Sequence, residues 1–253
     1  MNETQLKISF IISVLHLKRP LNKARFFVPR YTLPDVLRDL HENVTLPHEL
    51  IVVCNGQDKE LVDFVTSHPH IDKYCLNSVN VGVARSWNMG AEMAEGEALC
   101  FVNDDVEIGK GGAEGLFDVL TGADDVGQVG PMGALWNGAE HVRYVGESEI
   151  EEANAISGFL FMLHEKAFRQ VGGFDPAYSP AGFEKNRYEL CPAKTWLEMP
   201  RRARPGCQVP PSSWGEQLSQ SGCVPWQGSR HHRTARVQQG INFTRKWVIT
   251  DAR

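Results

Sequence analysis

The sequence lacks the features that would assign it to a membrane-spanning, thiol-metal or nucleic-acid-binding class. No apolar run in its 253 residues is long enough to cross a bilayer. Its six cysteines include no C-x-x-C pair, which argues against a zinc or redox motif and predicts free thiols in a reducing cytosol. The formal net charge of −5 gives no electrostatic reason to bind nucleic acid, although Lys and Arg are concentrated in the C-terminal third. The length suits one large α/β domain.

The pattern of apolar residues predicts alternating strands and helices. The predicted strands are 7–15, 49–54, 71–76, 98–102, 126–132 and 156–163, and the predicted helices are 33–42, 60–66, 83–94, 113–120 and 165–171. The first four strands alternate with helices over short connections, which predicts a parallel sheet wound like a nucleotide-binding fold. The polar segment 138–152 is interpreted as an excursion over the candidate site.

The strongest functional signal lies where the fourth predicted strand ends. The continuous apolar run 98–102 stops abruptly at Asn103, Asp104 and Asp105. Ligands of open α/β sheets bind at the carboxyl ends of strands, and carboxylate oxygens suit Mg²⁺ or Mn²⁺, which usually also contacts substrate phosphate oxygens. The pattern therefore indicates a site for a metal-bridged nucleotide phosphate. An Asp-Asp pair after a strand also suits a turn or a helix cap, so both interpretations stay open.

The motifs around this strand resemble those of a known enzyme family. The run N-x-G-x-A-R-x-x-N-x-G from Asn80 is followed by a helix and then by G-E-A-L-x-F-x-N-D-D. This order resembles the core of family 2 glycosyltransferases, which have the GT-A fold: a single α/β domain with a mainly parallel central sheet flanked by helices. The resemblance implies that Asp105 binds a divalent cation, Mn²⁺ or Mg²⁺, held by the diphosphate of a sugar nucleotide. Asn103 replaces the usual first acid, as in relatives resembling rhamnosyl- and galactofuranosyltransferases, and Asp104 lies beside it.

Two further residues would contact the nucleotide. Asn55 follows the predicted strand 49–54, where the resembling family carries an acid that contacts the base, and its amide can both donate and accept hydrogen bonds. Arg85, on the first turn of its helix, would face the diphosphate, and a surface salt bridge is an equally good interpretation. The donor would be a UDP-, GDP- or dTDP-linked sugar and the acceptor a glycan or a lipid-linked molecule.

A second set of motifs resembles the acceptor side of the same family. The order S-G-F-L-F-M, V-G-G-F-D and G-F-E runs from Ser157 to Glu184. An inverting transfer needs a base that takes the proton of the acceptor hydroxyl, and the resemblance makes Glu184 the candidate. Lys185 stands where the family usually has a second acid. Asp175 is the alternative base, and a turn-capping role suits it equally well.

The C-terminal part departs from the family pattern. Segment 190–228 is interrupted by prolines and keeps no apolar period, so it reads either as an out-of-frame product or as a Pro-rich loop. Beyond it, His232 is a candidate metal ligand, with a solvated histidine pair as the alternative. We expect a GT-A catalytic domain over 1–189, with a nucleotide-sugar half at about 1–109 and an acceptor half at about 110–189, followed by an atypical Pro-, Trp- and Arg-rich segment at 190–253.

The resemblance implies a metal-assisted, inverting hexosyltransferase of polysaccharide biosynthesis. We expect it in the cytoplasm, with peripheral association at the inner face of the membrane as an option and no nucleic-acid partner. One rival is a catalytically inactive GT-A-like protein that binds a nucleotide or a partner, which Lys185 and segment 190–228 motivate. A sugar-phosphate nucleotidyltransferase is disfavoured because no G-x-G-T-R loop follows the first strand, and the absence of G-x-G-x-x-G disfavours a dehydrogenase.

Overall fold

The computed structural model describes most of the first 176 residues and one short strand near the C-terminus. The described residues are 6–18, 31–123, 126–137, 140–145, 150–176 and 247–249. In chain order the elements are β1 (Ile8–Val14), α1 (Leu33–Asn43), β2 (His48–Cys54), α2 (Lys59–Ser67), β3 (Lys73–Leu76), α3 (Val83–Met93), β4 (Ala98–Asn103), α4 (Gly112–Thr121), β5 (Gln128–Val129), β6 (Gly133–Asn137), β7 (Glu140–Val145), β8 (Glu151–Glu152), β9 (Ala155–Ile156), β10 (Leu160–His164), α5 (Glu165–Val171) and β11 (Trp247–Ile249). None of the described helices has the length and hydropathy needed to cross a bilayer.

A central sheet of eight strands organises the molecule. Its order is β3-β2-β1-β4-β10-β5-β11-β8. The first four strands of that order are mutually parallel, as predicted, and β10 then pairs antiparallel with β4. Parallel neighbours need crossover connections, which the helices α1, α2 and α3 supply. The carboxyl ends of all four parallel strands therefore meet at one edge of the sheet.

Helices cover both faces of the parallel strands, which explains why the strands are almost continuously apolar. On one face Phe10 packs in the same cluster as Leu37 of α1, and both are fully buried. On the other face Ile11 packs with Trp87 of α3. Helix α3 approaches β1 closely because of Gly90, where an added Cβ would lie only 2.3 Å from the Ile11 Cγ2 atom. Gly90, the last glycine of the N-x-G-x-A-R-x-x-N-x-G motif, is therefore needed for α3 to pack closely on β1.

Two predicted elements were wrong in detail. Segment 138–152 is not simply an excursion, because β7 lies within it and pairs with β6 in a second, three-stranded antiparallel sheet, in which β6 also pairs with β9. The predicted strand 156–163 is divided between the two sheets, with β9 in the small sheet and β10 in the central one. The chain changes sheet at Ser157, whose backbone N–H donates to the Met132 carbonyl at 2.8 Å.

A buried carboxylate ties the strands together at the edge opposite the candidate site. Glu49 of β2 is only 3% exposed, and its Oε1 accepts hydrogen bonds from Ser9 Oγ and from the Glu95 backbone N–H, each at 2.6 Å. Lys73 Nζ lies 2.8 Å from Glu49 Oε2. Burial by itself raises the pKa of Glu49, but hydrogen bonds from Lys73, Ser9 and the Glu95 backbone outweigh it, so the pKa lies below its usual value.

This carboxylate predicts a stability that depends on pH. Because its pKa is lowered in the folded state, Glu49 stabilises the fold fully above its ordinary pKa, and that contribution is lost as pH falls through the folded-state pKa. At neutral pH we expect Glu49→Gln to reduce the free energy of unfolding by about 3 kcal/mol, as for breaking a buried pair. Urea unfolding as a function of pH measures this, and the difference from wild type should shrink below pH 4 or so.

A matched control is Asp63→Asn, which removes the exposed ion pair between Asp63 and Lys59 on α2. An exposed pair of this kind contributes little, so unfolding should be unchanged. Equal losses for Glu49→Gln and Asp63→Asn, or a Glu49→Gln effect that is independent of pH, would contradict this account.

Candidate functional site

The candidate donor-binding residues lie along the carboxyl edge of the parallel strands. Ser13 near the end of β1 pairs in register with Asn103, the last residue of β4. On the other side, Val14 of β1 pairs with Cys54, and the next residue, Asn55, donates its backbone N–H to the Val14 carbonyl at 2.7 Å. Asn55 and Asn103 are 48 positions apart in the sequence. The fold places them at the carboxyl ends of β2 and β4, the two strands that flank β1.

Asn55 is the centre of a buried polar network. It is 5% exposed, and its Nδ2 donates to Ser86 Oγ at 2.7 Å and to Ser13 Oγ at 3.3 Å. Its Oδ1 accepts from Asn77 Nδ2 at 2.9 Å, and Ser86 Oγ donates to the Gly82 carbonyl at 2.8 Å. Both amide hydrogens of Asn55 are therefore used within the protein. In this arrangement Asn55 joins the ends of β1 and β2 to the start of α3.

The sequence interpretation missed the partners of Asn55. Ser13, Asn77 and Ser86 stand near the end of β1, just after β3 and on the first turns of α3. Ser13 and Asn77 carry only the signal of a polar residue near the end of a strand, and Ser86 carries only that of a polar residue early in a helix. These signals become informative once the parallel order of the strands places the three side chains around one amide.

Arg85 is exposed on the first turn of α3. Its Nη1 donates to the Val81 carbonyl at 3.4 Å, and within the described part of the chain it forms no ion pair. The surface salt bridge considered above is therefore not seen there. Helix α3 begins after Gly82, which has a φ of 83° that favours glycine, and the Gly82 N–H donates to the Asn80 side chain at 2.9 Å. The first part of the motif thus shapes the start of α3 and leaves Arg85 on its surface.

The turn after β4 carries two partly exposed acidic residues. Asn103 donates its backbone N–H to the Phe159 carbonyl at 2.8 Å, which ties the end of β4 to the chain just before β10. Asp104 and Asp105 are partly exposed. The chain then returns to the core at Val106 and Ile108, which are 2% and 3% exposed. The two acids therefore lie on a short loop that is fixed at both ends.

Helix α1 holds the far end of this loop. The Ile108 N–H donates to Asp39 Oδ2 at 3.1 Å, and Asn43 Nδ2 donates to the Ile108 carbonyl at 2.7 Å. Asp39 and Asn43 are four positions apart, so they lie on the same face of α1. The Tyr31 hydroxyl also donates to Asp39, and burial together with this bond raises the pKa of Tyr31 well above its usual value. Sequence patterns gave no reason to connect α1 with the acidic turn.

The residues of the turn suit a cation whose remaining ligands come from a substrate and from water. Among the described residues no group of three or more His, Cys, Asp or Glu side chains could hold a metal by itself. Asp104, Asp105 and the amide of Asn103 are oxygen-bearing groups at one strand end, and they could provide only part of the ligands of a cation. Mg²⁺ and Mn²⁺ sites of this type are completed by water and by substrate phosphates. The candidate ligand His232 lies outside the described residues.

The acceptor side is described as far as residue 176. Asp175 is partly exposed and follows Phe174, which is 1% exposed. The Phe174 ring packs 5.0 Å from the Phe101 ring of β4 and 5.2 Å from the Trp87 ring of α3. Asp175 therefore directly follows a residue that is anchored in the core between α3 and β4. Glu184 and Lys185 lie outside the described residues.

A known protein family matches the segment that carries this edge. Residues 29–144 match the family model described as Glycosyl transferase family 2. Over this segment, which is just under half of the chain, the sequence is similar to glycosyl transferase family 2. The matched family 2 segment contains Asn55, Arg85 and the Asn103 to Asp105 turn. The resemblance inferred from the motifs is therefore confirmed.

Several solved structures share the fold of this chain. The chain is similar to GalNAc-T7, solved with UDP, GalNAc and Mn²⁺, at 15% identity and a TM-score of 0.57, over 75% of this chain and 41% of that one. It is also similar to residues 1–349 of TarS from S. aureus, at 15% identity and a TM-score of 0.52, over 73% of this chain and 55% of that one. This likeness shows the GT-A fold, as predicted. The chain spans about half the length of these structures, and no curated protein matches its sequence.

Proposed function

We propose that this protein is an inverting, metal-assisted glycosyltransferase that moves a sugar from a nucleotide-diphosphate donor to a glycan or a lipid-linked acceptor. The observation that carries the proposal is the position of the Asn103, Asp104 and Asp105 turn at the carboxyl edge of a parallel sheet, inside the segment that matches family 2. The binding region for ligands of open α/β sheets is the same edge.

The donor would bind along this edge. Asp105, with Asn103 and Asp104 beside it, would hold the cation, which when bound would stabilise the negative charge of the leaving diphosphate. Arg85 is exposed and forms no ion pair within the described residues, so its guanidinium is available for a diphosphate oxygen. Asn55 would hold the strand ends beside the base through its network with Ser13, Asn77 and Ser86.

The acceptor would enter from the side of β10 and the segment after α5. Inversion requires a carboxylate that takes the proton from the acceptor hydroxyl as it attacks the anomeric carbon. Glu184 remains the first candidate for that base, and Asp175 the second. The proposal also keeps the division into a donor half at about 1–109 and an acceptor half at about 110–189, with His232 as a further candidate metal ligand in the segment 190–253.

The proposal also covers the donor sugar, the biological role and the location of the protein. We infer a hexosyl donor, a role in polysaccharide biosynthesis and a cytoplasmic location with access to the inner face of the membrane. UDP is the first nucleotide to test, because the structures of GalNAc-T7 and of TarS 1–349 that share the fold contain UDP.

A transfer assay tests the proposal. Purified protein is incubated with Mn²⁺ and UDP-, GDP- or dTDP-linked sugars, with and without short glycan or lipid-linked acceptors, and release of the nucleoside diphosphate is measured. The proposal predicts release that needs Mn²⁺ and is stimulated by one acceptor class, with an inverted anomeric centre in the product. Metal-dependent nucleotide binding with no release from any donor would instead favour the rival, a catalytically inactive binding protein.

A further inference from the structure

Asn88 of the N-x-G-x-A-R-x-x-N-x-G motif makes two hydrogen bonds to a single residue in the distant segment after α5. Its Oδ1 accepts from the Phe174 backbone N–H at 2.8 Å, and its Nδ2 donates to the Phe174 carbonyl at 2.9 Å. The two residues are 86 positions apart in the sequence. One side-chain amide therefore satisfies both backbone groups of Phe174, as a neighbouring strand would.

The segment is shaped to receive this side chain. Gly173 has a φ of 81°, and an added Cβ there would lie 2.7 Å from Asn88 Oδ1. Gly172 also has a positive φ, of 83°, and ends α5. The V-G-G-F-D sequence thus turns back toward α3 and brings the Phe174 backbone against Asn88. The buried Phe174 ring secures the same residue from the other side through its packing with Trp87 and Phe101.

Helix α3 consequently contacts both halves of the candidate site. Ser86 bonds to Asn55 at the donor edge, and Asn88, two residues later, holds the backbone directly before Asp175. The chain that continues from Asp175 leads to Glu184 after nine further residues. Both candidate bases therefore follow the point that Asn88 fixes.

We propose that Asn88 is a positioning residue for transfer, because it fixes the acceptor-side segment Gly172–Asp175 to the helix that borders the donor edge. This role rests on the proposed function. Asn88 itself contacts neither metal nor nucleotide in this account, so its loss should affect the geometry of the reaction and spare donor binding.

Three variants test the role. Asn88→Ala removes both hydrogen bonds, and Asn88→Asp keeps an acceptor for the Phe174 N–H while it loses the donor to the Phe174 carbonyl. Glu92→Ala is the matched control, because Glu92 lies on the same helix, is 71% exposed and pairs with Arg169 of α5 at 2.7 Å. Hydrogen exchange of peptides covering 168–176, the nucleotide-induced thermal shift with Mn²⁺, kcat and the donor KM are measured for each.

The expected result is a split between these readouts. In Asn88→Ala, exchange at 168–176 rises by about 10-fold or more, because the Phe174 N–H loses its acceptor. Its kcat falls by about 10-fold, whereas the donor KM and the nucleotide-induced shift stay at wild-type values. For Asn88→Asp, the exchange at 168–176 and kcat should lie between the values of Asn88→Ala and wild type. This variant replaces Asn88→Ala in the test if Asn88→Ala does not fold. Glu92→Ala behaves like wild type in every readout.

Two results would overturn the role: unchanged exchange at 168–176 in a folded Asn88 variant, or parallel losses of donor binding and kcat. A wild type that binds nucleotide but never transfers sugar would overturn the proposed function, and with it the catalytic part of this role. Hydrogen exchange would still decide whether Asn88 holds the segment, so the two failures are distinguishable.

Discussion

Replacing Asp105 with alanine is expected to lower the rate of sugar transfer by about 10²- to 10³-fold, the effect of losing several kcal/mol of charge stabilisation at the leaving diphosphate. Nucleotide binding that depends on Mn²⁺ should disappear as well, since the same carboxylate would hold the cation for the donor. Initial rates at saturating acceptor and a nucleotide-induced thermal shift with and without Mn²⁺ measure the two effects.

Two further variants show whether the loss is specific to the Asn103 to Asp105 turn. Asp118→Ala removes an exposed acid of α4, outside the Asn103 to Asp105 turn, and should leave both readouts unchanged. Asn43→Ala removes the hydrogen bond to the Ile108 carbonyl and so loosens the loop that carries Asp105. We expect Asn43→Ala to weaken Mn²⁺-dependent binding by about 10-fold, the effect typical of residues that support metal ligands. A wild-type rate of sugar transfer in Asp105→Ala would contradict the proposal that Asp105 binds the metal.

Replacing the catalytic base is expected to lower kcat by about 10²- to 10⁴-fold, the usual contribution of a general base. Glu184→Gln should produce this loss, and Asp175→Asn a smaller one, because the motif resemblance makes Glu184 the first candidate for the base and Asp175 the alternative. Both variants should keep the Mn²⁺-dependent nucleotide shift, in contrast to Asp105→Ala. Rates measured across pH 5 to 9 complete the test, since loss of the base also removes the acidic limb of the pH profile.

Comparing Glu184→Gln with Asp175→Asn also shows whether the base has been assigned to the right residue. If Asp175→Asn loses the larger factor while Glu184→Gln retains most activity, Asp175 is the base and the G-F-E motif has another role. If neither variant loses more than about 10-fold, well below the range expected for a base, the proposed inverting chemistry would need a different proton acceptor.

The sequence predicted the parallel half of the fold because its strands are buried on both faces. Buried strands such as β2 and β4 appear as continuous apolar runs, and the polar residue that ends each run marks the carboxyl edge. The position of the Asn103, Asp104 and Asp105 turn at that edge follows from the same pattern. The family resemblance then supplied the chemistry that a strand end alone does not specify.

The parts that could not be predicted depend on contacts between distant segments. The amide of Asn55 is occupied by Ser13, Asn77 and Ser86, and no periodicity reveals that these three surround it. The β6–β7 hairpin was missed because β7 is largely exposed and the pairing includes a register shift, which hides the alternation of a half-buried strand. The division between β9 and β10 was missed because both halves are apolar.

The measurement that tests the central claim most directly is a thermal-shift titration of wild type and Asp105→Ala with UDP, GDP, dTDP and CMP, each with and without Mn²⁺. The account predicts a rise in Tm for one nucleoside diphosphate that requires Mn²⁺ and is absent in Asp105→Ala. A shift that is equal in both proteins, or no shift with any nucleotide in folded wild-type protein, would contradict the assignment of the carboxyl edge of the sheet as a metal-assisted donor site.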